Sequence, residues 1–343
     1  IVSGGQLHAE GTDVARIQLT RTPGQSTNWR GIQLTNTTAA NRISYADQAF
    51  GDVGFGDGAR SFSATNSRLD IDHMTWSGTT QQVLNFVDSS FRVAHSVLPD
   101  VGAVEPVHGV GVPAGGYAIF ESNHFGRNIG YNDTIDFSAV QQPDAVLQIL
   151  NNDFAGGEDD ILDLDGCDAY IEGNVFRGAH HTDPSDPGTS SAVSGGKFNG
   201  LTSRWTIIRN YFYDLDHAVL LKEGAFATIV NNTMVSLSVA AINFDEPGNG
   251  DVEPGLGAHL DGNIVWATPL VFENLHSDGT TTALSLNRSI LPGPAVYPGI
   301  GNSNLDPHLV KTARITDPAQ DLKLQPGFGP ARGSGPNGRD MGA

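Results

Sequence analysis

Four aspartates fall close together at Asp159, Asp160, Asp163 and Asp165, the densest run of carboxylates in the chain. Carboxylates this crowded can hold a hard divalent cation through their oxygens or divide acid and base duties between them. Lysine is scarce by contrast, limited to Lys197, Lys222, Lys311 and Lys323. A lysine beside such acids has two roles open to it. It can be the counter-charge that relieves their repulsion, or, with its proton affinity depressed, a base.

The stretch that carries these acids, Asn151 to Phe176, also holds one full period of a degenerate repeat. Asn152-Asp153-Phe154 returns as Asn174-Val175-Phe176, 22 residues later, and a fixed period of this length is the signature of a stacked array. An aliphatic-x-x-Asn-x-apolar template matches Phe120 to Phe125, Ile149 to Phe154, Ile171 to Phe176, Ile229 to Met234 and Leu260 to Val265. Ile208-Arg209-Asn210-Tyr211-Phe212 reads as one residue short, and weaker copies put Met74, Ser96 and Ser289 in the asparagine slot. The basic turn is thus 22 residues, and longer spacings are turns that carry insertions on one side of the array.

Each period has a second apolar beat, as in Thr134-Ile135-Asp136-Phe137, Ile161-Leu162-Asp163-Leu164 and Ala241-Ile242-Asn243-Phe244. These runs alternate with period two, the spacing of strands with one buried face. Short strands punctuated by Gly, Asn and Asp, with no helical stretch between them, predict an all-β parallel solenoid whose asparagines stack in a ladder. Within a strand the leucines Leu162 and Leu164 then face inward, and Asp163 and Asp165 face out. The matching outward positions are Asp136 and Ser138, Ser194 and Gly196, Leu220 and Lys222, Asn243 and Asp245. With strands about 4.8 Å apart, the outer face is a lattice of acids that also receives Lys222, with Lys197 beside it.

The 343 residues form one elongated domain on this reading, because a solenoid grows by turns rather than by cores. Residues 1–68 read as opening turns, 69–291 as regular coils and 292–343 as a closing tail that folds back. A net charge of −19 disfavours nucleic acid and anionic membranes and favours cations. The apolar runs are too short to span a bilayer, so no membrane insertion is expected. The single cysteine, Cys167, allows no intrachain disulfide, as in a cytoplasmic protein or a bacterial exported one. A first residue of Ile1 rather than Met reads as the start of a mature or excised segment of a longer chain.

Three insertions interrupt the repeat. Pro99 to Gly116 reads as plain loop, with a His108 that faces a cleft as the alternative. His180 to Ser191 carries His180, His181 and Asp183, neighbours that rarely chelate a metal together without further ligands. Asp245 to Gly257 contains Glu246, Asp251 and Glu253 and reads as a solvated loop flanking the outer face.

From Leu69 to Leu291 the repeat resembles the right-handed parallel β-helix superfamily of pectate lyases, polygalacturonases and related polysaccharide-active proteins. The resemblance implies a single-stranded right-handed parallel β-helix, a polysaccharide substrate, and a secreted or cell-surface bacterial protein, monomeric or part of a larger exported chain. Similarity to calcium-dependent lyases implies β-elimination on a uronic acid polymer, with calcium on Asp136, Asp163 and Asp165 and with Lys222, or else Lys197, as base. Polygalacturonase-like hydrolases carry N-T-D, D-D and G-H-G motifs, of which Asn132-Asp133-Thr134, Asp159-Asp160 and Asp216-His217-Ala218 are partial echoes. That resemblance implies Asp159, Asp160 and His217 as catalytic residues of inverting hydrolysis. A third class, an exported glycan-binding or adhesin stalk, needs only the acidic loops and the repeat, since fold does not imply function.

Overall fold

A computed structural model of the chain describes residues 2–54, 58–102, 104–183, 188–247, 253–276, 279 and 282–343. Its strands pair in parallel along three ladders, the arrangement of a parallel β-helix. The first ladder runs through eleven strands from Val2–Ser3 to Leu270–Glu273. The other two begin joined, in the long strands Asn41–Ala49 and Arg68–Ser77. From the next coil they separate into pairs such as Ser90–Ala94 and Val97–Leu98, then Leu147–Leu150 and Asp153–Phe154.

The repeat template is the corner between these two ladders. In each coil an aliphatic residue faces the core, the residue before the asparagine turns into the left-handed region, and the asparagine swings inward. Ser122, Asn151, Arg209 and Asn231 take φ of 57°, 55°, 53° and 53°, and Gly173 and Gly262 fill the same position in their coils. The coil around Asn210 is not short: Ile207, fully buried, is its aliphatic residue, so the spacing to Asn210 and Phe212 is the standard one.

Behind the corner the asparagine amides link coil to coil. The backbone N–H and Nδ2 of Asn152 both donate to Oδ1 of Asn174, at 2.8 and 3.0 Å. Asn123 binds Asn152 in the same way, and the series continues through Asn210, Asn232 and Asn263. Ser96 and Ser289 stand at its two ends in the asparagine slot, as the repeat predicts. Each amide accepts from one neighbour and donates to the other, so no buried polar group is stranded. Beside this ladder the rings of Phe125, Phe154, Phe176 and Phe212 stack at 4.6, 4.9 and 5.0 Å between centroids, filling the core at one phenylalanine per coil.

The segment after Pro292 folds back along the flank. Leu309, Leu322, Ala331 and Met341 bury themselves against Tyr213, Val235, Ile264 and Ile290, which point out of successive coils of the third ladder. Hydrogen bonds from Ser236 Oγ to the Thr312 carbonyl and from the Ala343 N–H to Thr233 Oγ1 fasten it there. Among the described residues no helix is long and apolar enough to cross a membrane.

Candidate active site

The outward positions of the first ladder line up as the alternation predicts. His108 stands opposite Asp136, Asp136 opposite Asp163, and Asp163 opposite Ser194. The pairing of Val193 with Val219 carries the register on to Leu220, which stands opposite Asn243. Inward neighbours Ile135, Phe137, Leu162 and Leu164 anchor these strands in the core. Packing of the apolar face therefore decides where the acids stand.

More acids enter from the bends that precede the strands. Asn128 Nδ2 donates to the carbonyls of Asn132 and Asp133 at 2.7 and 2.8 Å, pinning the loop that delivers Asp133. Asp160 Oδ1 accepts the Ser191 N–H at 2.7 Å. As a result, carboxylate oxygens of Asp133, Asp159 and Asp160 lie within 4.8 Å of one another. Gly195 makes the opposite wall: at φ 149° a Cβ there would sit 2.6 Å from the Leu164 carbonyl oxygen. Only glycine lets the chain run that close, and the turn it allows aims the Gly196 N–H at Asp165 Oδ1, 2.7 Å away.

Lys222 reaches this cluster from the strand end after Leu220, its N–H held by the Gly195 carbonyl at 3.2 Å. Its Nζ lies 3.6 Å from Glu246 Oε2. Glu246 is fixed in turn by the N–H and hydroxyl of Thr189, at 2.9 and 2.8 Å. Asp245 and Glu246 are both buried, instead of standing in solvent as the composition of their segment suggests. Asp251 of that segment lies outside the described residues.

Electrostatics follow from the crowding. Burial, then Asp163, Asp160, Asp159 and Asp136, push the Asp133 carboxyl well above the usual range. Asp160 and Asp163 are driven up in the same way, by burial first and neighbouring acids second. Asp136 is pushed up to about 7 by burial, Glu105 and Asp165. Asp159 rises to about 6, chiefly through burial, with Glu246 adding to the effect and Lys222 opposing it. Asp165 is raised by burial as well, against the Gly196 N–H and Lys222. For Lys222, burial favours the neutral amine, but Asp163, Asp160, Glu246 and Asp165 outweigh it and hold the ammonium above the ordinary lysine range. Near it Asp163 Oδ1, Ser191 Oγ, Ser194 Oγ and Asn243 Nδ2 are buried without a hydrogen-bond partner among the described residues. Such atoms are costly unless something else satisfies them.

The structure thus brings together Asp136, Asp159, Asp160, Asp163, Asp165 and Lys222, and adds Asp133 and Glu246. Lys197 stands apart: its Nζ pairs with Glu253 and its N–H with Glu223 Oε2. His217 is buried between the Ser190 carbonyl and Glu273, 2.7 Å from the latter's Oε2, in a structural pair. His180 is held by Asp216 and Asp214, and the His181 ring meets Tyr131 edge-on. His108 lies in a strand, Val107–Val110, rather than a plain loop, and its Nε2 is 3.6 Å from Asp136 Oδ2. Asp133 was legible only as a scrambled echo of a hydrolase motif. Nothing in the composition of the 245–257 segment distinguished Glu246 from the other acids of that segment.

The fold is similar to that of tailspike protein 3 of bacteriophage CBA120, at a TM-score of 0.35 and 12% sequence identity, over 80% of this chain and 52% of that one. The likeness spans about half of the tailspike's length and carries no inference about activity. No protein-family model matches the chain, and no curated protein matches it.

Proposed function

We propose that the acid cluster is the catalytic centre of a lyase that cleaves an acidic polysaccharide by cation-assisted β-elimination. The observation that carries this reading is the convergence of Asp133, Asp159 and Asp160 within 4.8 Å, beside Asp163 with its unpartnered Oδ1. A set of hard oxygens this close, in which the acids outnumber the single ammonium of Lys222, fits calcium. The sequence resemblance to pectate lyases supports both the cation and the substrate class, and on this reading the protein works outside the cell.

The ligand set shifts from the one the resemblance implies, toward Asp133, Asp159, Asp160 and Asp163, with Asp136 and Asp165 at its edges. When bound, the cation would neutralise a uronate carboxylate and so acidify the adjacent C5–H. Lys222 is the base. Its protonated form depends on ionised Asp163, Asp160, Glu246 and Asp165, and once those charges are compensated burial alone acts, which favours the neutral amine. The amine takes the C5 proton, the C4–O bond breaks as the C4–C5 double bond forms, and the leaving oxygen gains a proton. Asp136, near 7, can return that proton at neutral pH.

Hydrolysis is the second reading, favoured by Asp136 near 7 and Asp159 near 6, a pair able to divide acid and base roles near neutrality. One assay separates the two. Pectate, alginate and glycosaminoglycans are incubated with the protein in calcium or in chelator, and both unsaturated-uronide absorbance and reducing ends are followed. Elimination raises both signals, and hydrolysis raises reducing ends alone. Silence across the panel would leave a binding protein. Lys222→Ala is expected to lower turnover by about 10³-fold while calcium still binds, and unchanged turnover would remove Lys222 as base.

A further inference from the structure

Besides Asp133, Asp159 and Asp160 and the adjoining group of Glu105, His108 and Asp136, the described residues hold a third convergence of metal-ligating atoms, on a different part of the coil. Tyr45, His73 and His95 occupy the left-handed corner between the second and third ladders in three successive coils, with φ of 47°, 53° and 48°. The register that pairs Ser44 with Asp72 and Asp72 with Ala94 sets these corners one above the other. Their rings stack, Tyr45 on His73 at 4.4 Å and His73 on His95 at 4.7 Å between centroids. Stacking turns both imidazoles the same way: Nδ1 of His73 and Nδ1 of His95 each lie 2.9 Å from one oxygen, Oδ1 of Asp72.

We propose that Asp72, His73 and His95 form a site for a divalent transition ion of the zinc class, clipping one coil to the next. Two imidazole nitrogens and a carboxylate oxygen are the donor set of zinc, nickel, cobalt or copper rather than of calcium or magnesium. With metal–ligand bonds of about 2.0–2.1 Å, ligand atoms stand about 2.9 Å apart at a right angle and about 3.4 Å apart in a tetrahedron. The observed 2.9 Å separations of both ring nitrogens from Asp72 Oδ1 match these values, and the three ligand atoms all lie within 4.8 Å of one another, so the rings close on the ion by tilting toward each other. Each neutral ring then carries its proton on Nε2, which leaves Nδ1 free to ligate. All three side chains are partly open to solvent, at 33% for Asp72, 37% for His73 and 43% for His95. An open cavity of about 300 Å³ lined by Glu10, Arg42, Tyr45, Asp70, Asp72 and Arg92 borders Asp72, and the partial exposure of all three ligands leaves solvent able to reach them.

The site is independent of the acid cluster and is tested apart from it. The full chain is stripped with chelator, returned to excess calcium to occupy hard-oxygen sites, and titrated with Zn²⁺ by calorimetry and with Co²⁺ by visible absorption. One ion per chain is expected. His73→Ala and His95→Ala should each weaken it by at least the 10–100-fold that loss of a mere supporting partner costs a metal site. Absence of binding in the parent, or an affinity in the double variant within about twofold of the parent, would overturn the site. If the variants fail to fold, the parent decides: Zn²⁺ must shift the His73 and His95 ring resonances first, and shifts confined to other histidines overturn the proposal.

Discussion

The asparagine ladder and the acid column are built by the same coils, yet their energetics are opposite. At the corner, like groups stack every coil and every one is satisfied, because an amide is donor and acceptor at once. On the first ladder, like groups also stack, but a carboxylate only accepts when ionised, so Asp136 raises the proton affinity of Asp163, and Asp165 that of Asp136, instead of bonding. A parallel solenoid therefore tolerates amides in register as structure. It tolerates acids in register only where a cation, a proton or a substrate completes them.

Exchanging the chemistry of the two columns is the hardest test of this contrast. Asn174→Ala would remove the acceptor of the Asn152 N–H and of one of its two Nδ2–H groups, the other staying on the Phe120 carbonyl, and the Nδ2 donor to the Ile149 carbonyl. At about 1–3 kcal/mol for each unsatisfied group, the cost should be roughly 3–5 kcal/mol in urea unfolding. A loss below about 1 kcal/mol would mean that the ladder is decorative.

The next effect is pH-dependent. Asp136 near 7 and Asp159 near 6 bind protons more tightly folded than unfolded, so the stability they contribute is fully present below about pH 4 and is lost as pH rises through about 7. In chelator the protein should be more stable at pH 5 than at pH 8 by roughly 2–4 kcal/mol, discounted for partial exposure. Calcium should shrink that difference. A flat profile in chelator would show that the acids are already compensated.

Smaller again, and opposite in sign to the asparagine change, Asp163→Asn should stabilise the chelated protein at pH 8 by about 1 kcal/mol while abolishing turnover. Lys197→Ala should do least. Its exposed pair with Glu253 is worth less than about 1 kcal/mol, and turnover should stay within about twofold, in contrast to Lys222→Ala.

The contrast also explains what could be read from sequence. The step from Asn152 to Asn174 and the alternation through Leu162, Asp163 and Leu164 are local patterns, and from them the register of Asp136, Asp163, Ser194, Leu220 and Asn243 follows correctly. Asp133 and Glu246 come from loops, where no period constrains the backbone and a single contact such as Thr189 with Glu246 decides the position. The same limit hid the difference between Lys197 and Lys222. Both are near the lattice in sequence, but a two-stranded hairpin, Lys197–Phe198 with Leu201–Thr202, turns one of them toward Glu253.

The returning C-terminal segment has a mechanical meaning as well. Coils held only by their neighbours can fray one at a time from an open end, but Leu322, Ala331 and Met341 lie across Tyr213, Val235, Ile264 and Ile290 like a strap over four successive rungs. Peeling the last rung first requires lifting the strap from all of them. The back half of the solenoid should therefore open as one block, while its front half remains free to loosen rung by rung.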